Sequence, residues 1–273
     1  MTARTALFAC LLAGSALLAA CAPVQSAAVL DQGPLRLAAA SPLRTPANIA
    51  RDRYRHPVET LAFFGVRPNH TVVEIWPGGG WYSEILVTYL AQGGGTYIGA
   101  APERSLTGLR KLVTAQPAAY ASVRTANFPI LPTAAGTPVA PGSADVVLTF
   151  RNVHNWMMGK TPFDAAAFEQ MYMMLKPGGT LGVVEHRLPE NADAAREKSS
   201  GYVKVSTVRR LAEAAGFRLV AMSEINANPL DSTDHAEGVW TLPPNYRLGD
   251  KDRAKYTAIG ESDRMTLRFV KPR

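Results

Sequence analysis

The chain has 273 residues, and its 47% hydrophobic content is enough for one sizeable core. A formal net charge of +7 and a sequence pI near 9.5 suit an anionic partner where basic residues cluster. Arg51, Arg53 and Arg55 form one knot and Arg209 and Arg210 another, but the rest are scattered, which argues against a nucleic-acid surface; two cysteines exclude a disulfide framework.

Arg4 precedes a mostly apolar run from Ala6 to Ala20, too short for an ordinary membrane span, and residues 1–20 read as a secretory signal. Leu18-Ala19-Ala20-Cys21 resembles the lipobox of bacterial lipoproteins. That resemblance implies a lipidated Cys21, a membrane anchor and a place on the periplasmic face. A soluble periplasmic protein cut near Ala20 and an uncleaved short anchor are the alternatives. Residues 21–46, rich in Ala, Pro and Ser, read as a tether, which leaves 47–273 as a single domain.

Pro57 opens a short helix with Leu61, Phe63 and Phe64 on an apolar side, and Gly65 is placed to end it. Thr71 to Trp76 is the first buried strand. A glycine cluster at 78–80 follows, then a helix from about Trp81 to Ala91. Thr96–Ala100 is a second strand, Glu103–Ala115 a second helix, and Ser122–Phe128 a third strand. Ala144–Phe150 is a strongly apolar fourth strand. A helix from about Phe163 to Leu175, a Lys-Pro-Gly-Gly turn and the strand Thr180–Glu185 come next. A helix starts near Ser206 and ends at Gly216, and Phe217–Ser223 and Met265–Val270 are two further strands. Residues 226–263 show little periodicity and read as a long loop or lid. Strands alternating with helices predict a doubly wound α/β sheet.

A strand, glycine turn and helix make an anion- and nucleotide-binding corner, because bare backbone approaches the ligand and the helix N-terminus offers free N–H groups. Three features together are similar to the class I S-adenosylmethionine-dependent methyltransferases. They are Glu74 to Gly80, the segment Asp145 to His154 after the fourth strand, and Leu175-Lys-Pro-Gly-Gly-Thr-Leu181; the exit Ala214-Ala-Gly-Phe217 also fits. The segments around 59–86 and 183–190 further resemble a subgroup of methyltransferases carrying export signals. The resemblance covers roughly residues 50–225 plus the last strand. It implies a Rossmann-like, mostly parallel seven-stranded sheet with an antiparallel last strand.

By the same resemblance the cofactor is S-adenosylmethionine, held by Glu74, Pro77, Gly78, Gly80, Trp81 and Asn152. His154 and His186, at strand ends, are candidate bases, and Arg187 is a candidate for binding an acidic substrate group, with an ion pair to Glu185 or Glu190 as the alternative. Arg151-Asn-Val-His-Asn-Trp156 differs from the motif of many amino-group methyltransferases, which favours a small-molecule oxygen or carbon acceptor. Asp231, Asp234 and His235 lack a recognisable metal-ligand spacing, and no metal is expected.

Two departures set this chain apart from the family pattern. Trp76 stands where the first glycine of the corner is usual. The second strand ends in Gly99-Ala100-Ala101, without the carboxylate that receives the ribose hydroxyls, and Glu103 is its nearest acid. With the export signal, these departures support an alternative: a non-catalytic exported ligand-binding or envelope-associated protein that keeps the fold. A nicotinamide-dependent oxidoreductase is disfavoured, because the G-x-G-x-x-G spacing is absent.

Overall fold

The computed structural model describes Met1, residues 31–130 and residues 136–273. The predicted signal, Cys21 and the start of the tether lie outside the described residues. Four short helices come first: α1 (Gly33–Ala39), α2 (Pro46–Ile49), α3 (Asp52–Arg55) and α4 (Pro57–Phe63). There follow β1 (Thr71–Ile75), α5 (Ser83–Ala91), β2 (Thr96–Ala100), α6 (Thr107–Ala115), β3 (Arg124–Ala126), β4 (Ala144–Phe150), α7 (Val153–Met157) and α8 (Asp164–Met174). The chain continues through β5 (Leu175–Leu188), β6 (Val203–Lys204), α9 (Val205–Ala214), β7 (Arg218–Ser223), α10 (Arg253–Ile259) and β8 (Arg264–Val270).

The strands join in the order β3-β2-β1-β4-β5-β8-β7. β1 to β5 pair in parallel along this path, and β8 runs antiparallel to both β5 and β7. The mostly parallel sheet with an antiparallel last strand is the expected one; the two-residue β6, paired with β5, is an addition. Side chains alternate across the sheet, so adjacent residues enter different cores. Val73, Ile75, Val147 and Val183 pack with Phe168 and Met171 of α8 and Val208 of α9. Val72, Val146 and Leu148 pack on the other face with Leu35, Leu61, Ile85 and Leu86. Each such side chain contributes roughly 2 kcal/mol by leaving water.

Several expectations need correction. Residues 33–46 do not form a tether: Leu35 and Ala38 are buried in the second core. Arg44 grips Asp52 through Nη1 at 2.6 Å and Nη2 at 2.8 Å, and the Thr45 N–H donates to Glu84 at 3.1 Å. Sparse apolar residues and pairwise charge contacts do this, and composition averages both away. The predicted helix at 103–115 is a short 3₁₀ turn, Glu103–Ser105, followed by α6. The predicted Lys-Pro-Gly-Gly turn lies within β5, where its register with β4 shifts and Gly178 adopts φ 81°. The helix α7 was not anticipated.

The long segment 226–263 is built into the body of the protein. The buried Asp231 carboxylate accepts from the Tyr202 hydroxyl at 3.0 Å and from the N–H groups of Thr233 and Asp263 at 2.8 Å each, and it pairs with His235 at 2.8 Å. Asn226 donates to Thr60 and Thr266 at 3.0 Å. Asp231 and His235 are therefore a buried anchor, whereas Asp234 is exposed.

Candidate functional site

A cavity of about 330 Å³ opens at the carboxyl ends of β1, β4 and β5, where open α/β sheets bind ligands. Its walls come from the glycine corner, the residues after β4, the end of β5, the segment 48–55 and the long segment near Trp240 and Glu261. Glu74, Pro77, Gly78, Trp81, Asn152, His154 and His186 all line it, as does Gly79. Gly80 and Arg187 do not.

At the corner, Gly78 has φ 59°, and a Cβ there would meet nothing within 4 Å, so bare backbone faces open room. Gly80 has a different task. Its Cβ would fall 2.3 Å from Leu112 Cδ1, so it lets α6 pack beneath the turn. Glu74 is buried and accepts hydrogen bonds from the Ser83 hydroxyl at 2.8 Å and the Tyr97 hydroxyl at 2.7 Å. Burial nevertheless outweighs these bonds and raises its pKa to about 7. Asn152 donates to the Ile75 carbonyl at 2.9 Å, which ties the end of β4 to β1.

Trp76 takes φ 50°, a conformation that suits glycine, while its N–H continues the ladder to the Ala100 carbonyl at 2.8 Å. Its indole reaches sideways, donates to the Phe128 carbonyl at 3.1 Å, and meets Trp156 edge-on at 6.1 Å. The ring thus stands between the cavity and the ends of β2 and β3; among the described residues, none from 83 to 149 lines the cavity. The end of β2 bears on a separate hollow of about 200 Å³ lined in part by Ala101 and Glu103. Glu103 pairs with Arg110 at the surface.

His154 is placed by α7, and its Nδ1 lies 2.9 Å from Glu185 Oε1. The same carboxylate accepts the backbone N–H of His154 at 3.3 Å and of His186 at 2.8 Å. A carboxylate only accepts, so His154 Nδ1 carries a proton, and the neutral form of the ring has Nε2 as its acceptor. His186 stands 5.2 Å from the His154 ring and contacts the Ser262 hydroxyl. Burial, then the nearby His154 and Arg151, push its pKa well below the ordinary value. His154, Glu185 and His186 bring their ligating atoms within 4.8 Å of one another, a set able to hold a metal ion. The charges that hold His186 neutral oppose a divalent cation in the same way, and Glu185 is already engaged by three N–H groups.

Arg187 points elsewhere. It is a structural ion pair, with Asp263 at 2.7 and 2.9 Å and Glu224 at 2.9 Å, partners other than the Glu185 or Glu190 expected. Glu190 instead binds Ser206, through its N–H at 3.0 Å and its hydroxyl at 2.6 Å.

Sequence reasoning missed Glu185 as the partner of His154, and Arg51, Arg55, Arg151 and Glu261 as cavity residues. The basic knot at 51–55 was a signal for the first two. Nothing local pointed to Glu261, which reaches the cavity only through tertiary contacts. Burial alone raises the pKa of Glu261, but Arg55, Arg264 and Arg51 together bring it down to about 2.

No protein-family model matches the chain, and no curated protein matches it. Solved structures do resemble it. A SAM-dependent methyltransferase from Aquifex aeolicus is 14% identical with a TM-score of 0.54, the match covering 89% of this chain and 99% of that one. The [4+2]-cyclase SpnF is also 14% identical at a TM-score of 0.54, covering 80% of each chain. Phosphoethanolamine N-methyltransferase 2 of Haemonchus contortus, solved with S-adenosyl-L-methionine, is 16% identical at a TM-score of 0.50, covering 81% of this chain and 53% of that one. At these identities the likeness establishes a methyltransferase-type α/β fold. The cyclase makes plain that the fold does not dictate one reaction.

Proposed function

We propose that the protein transfers a methyl group from S-adenosylmethionine to a small-molecule oxygen or carbon acceptor. The observation that carries this reading is the juxtaposition, on one cavity, of the bare Gly78 backbone and the Glu185-oriented His154. Pro77, Gly78, Trp81 and Asn152 would hold the methionyl part of the cofactor, and Glu74, with its pKa near 7, would face its amine. When bound, the cofactor supplies an electrophilic methyl carbon. The residues of the chain align the acceptor, exclude water and accept its proton at His154 Nε2. Methyltransferase-fold neighbours support the reaction class, and the departure of residues 151–156 from the motif of many amino-group methyltransferases, with a positioned imidazole at His154, supports an oxygen or carbon nucleophile.

A second reading is favoured by one specific observation. Trp76 closes the way to β2, and β2 carries no carboxylate for the ribose hydroxyls, so a ligand-binding protein without turnover also fits. Calorimetric titration with S-adenosylmethionine and S-adenosylhomocysteine tests the first reading: binding of both is expected, and no heat at millimolar ligand defeats it. We further propose export with a lipid anchor at Cys21, the lipobox-like sequence being its support.

A further inference from the structure

The basic knot at 51–55 divides between surface and interior. Arg53 is exposed and stacks on Tyr54 at 4.6 Å, whereas Arg51 and Arg55 line the cavity. Arg55 is 1% exposed. Its Nε donates to Glu261 at 3.0 Å and its plane lies 4.7 Å from the Trp81 ring, but Nη1 and Nη2 are buried without any hydrogen-bond partner among the described residues. Arg51 Nε donates to the same Glu261 at 2.6 Å, and its Nη2 is likewise buried and unpartnered. Arg151, just beyond β4, bonds through its backbone to Val184 and Asn155, while its guanidinium makes no hydrogen bond among the described residues. Arg264 is the one satisfied member, bonded to the carbonyls of Ser262 and Tyr54 and paired with Glu261 at 3.3 Å.

Four guanidinium groups thus surround Glu261, and counting Glu74 and Glu185 as ionised still leaves four guanidinium cations to three carboxylates. Buried charge without a partner is strongly unfavourable, and an arginine fork is matched in shape by a carboxylate or a phosphate. Arg55, Arg51 and Arg151 all line the cavity that His154 also lines. We propose that Arg55, Arg51 and Arg151 bind the carboxylate or phosphate group of the small molecule on which the protein acts. That this molecule is the methyl acceptor rests on the methyl-transfer reading; the anion site itself does not.

The test is calorimetric titration of the full chain with inorganic phosphate and with citrate at low ionic strength. The wild type is expected to bind at least one. Arg151→Gln and, separately, Arg51→Gln, each checked by circular dichroism for retained fold, are expected to weaken that binding by about tenfold or more, as for loss of a charged hydrogen bond. No binding to the wild type, or equal binding by both folded variants, overturns the site. A second arm uses S-adenosylhomocysteine and methylthioadenosine, which lacks the amino-acid carboxylate. Phosphate or citrate binding alongside S-adenosylhomocysteine supports the acceptor assignment. Displacement by S-adenosylhomocysteine but not by methylthioadenosine assigns the arginines to the cofactor carboxylate and overturns it. Arginine-dependent anion binding with no binding of S-adenosylhomocysteine leaves the site standing and removes the methyl-transfer reading alone.

Discussion

His154 Nδ1 and Glu185 Oε1 meet at 2.9 Å with both side chains buried, which selects the Nδ1–H tautomer for the neutral ring, with Nε2 as its basic atom. Glu185→Leu leaves Nδ1–H without its acceptor, so the ring is expected to lose its preference for the Nδ1–H tautomer. Nitrogen NMR of the labelled imidazole reads this directly. With an acceptor in hand, the variant should lose about 10²–10⁴-fold in turnover, the usual worth of a positioned base. An unchanged tautomer in Glu185→Leu removes the dyad.

Glu74 gives the stability an unusual pH dependence. Burial lifts its pKa from 4.5 to about 7, so between these values the folded protein holds a proton that the unfolded chain has released. Its contribution is full below the unfolded pKa and is lost as pH rises through the folded one, about 3 kcal/mol in all. Glu74→Gln cannot ionise. Relative to wild type, it should therefore gain stability between about pH 5 and about pH 8, as read from urea denaturation at the two values. The same difference at both would exclude a raised pKa for Glu74.

Glu261 has the opposite sign. The surrounding arginines hold it near 2, so its contribution is present above the unfolded pKa of 4.5 and lost as pH falls toward 2. Glu261→Gln leaves Arg51, Arg55 and Arg264 without their shared carboxylate and is expected to cost about 3–5 kcal/mol at neutral pH. The cost should shrink in acid. Thermal denaturation across pH checks this, and equal stability of variant and wild type at pH 7 contradicts it.

The periodic parts of this fold are legible in the sequence because short apolar runs bounded by turn residues have one reading in an alternating α/β pattern. Thr96–Ala100 and Ala144–Phe150 have the same bounds in sequence and structure. Residues 33–46 are not legible, since Leu35, Ala38 and Thr45 are held by partners remote in sequence and the Arg44–Asp52 pair leaves no periodic pattern. The site divides in the same way. Gly78, Asn152 and His154 follow strands, His186 lies near the end of β5, and all four are visible from their neighbours. Glu261 reaches Arg51 across 210 residues, and no local pattern encodes that meeting.

Export has a separate test. Radiolabelled fatty acid is expected to enter the protein in a bacterial host and to be absent from Cys21→Ser, as read by autoradiography of the purified chain. Equal labelling of the two forms rules out lipidation at Cys21.

Trp76 is the residue on which the cofactor reading turns. It holds φ 50°, and its indole lies against Trp156 at 6.1 Å and Phe163 at 6.0 Å, anchored on the Phe128 carbonyl. Glycine adopts this backbone conformation without strain, so Trp76→Gly relieves one cost while it removes ring packing; a net loss of about 1–3 kcal/mol is expected. The vacated space joins the cavity to the ends of β2 and β3. If the indole obstructs the nucleoside, Trp76→Gly should bind S-adenosylhomocysteine more tightly than wild type, with a smaller gain for Trp76→Phe, which keeps part of the ring. If the indole is itself a wall on which the ligand rests, both variants should bind more weakly, with Trp76→Gly the weaker. Methylthioadenosine titrated beside S-adenosylhomocysteine locates the effect. An obstruction at the nucleoside changes both affinities in parallel, whereas a change confined to S-adenosylhomocysteine places the indole against the methionyl end and refutes the obstruction.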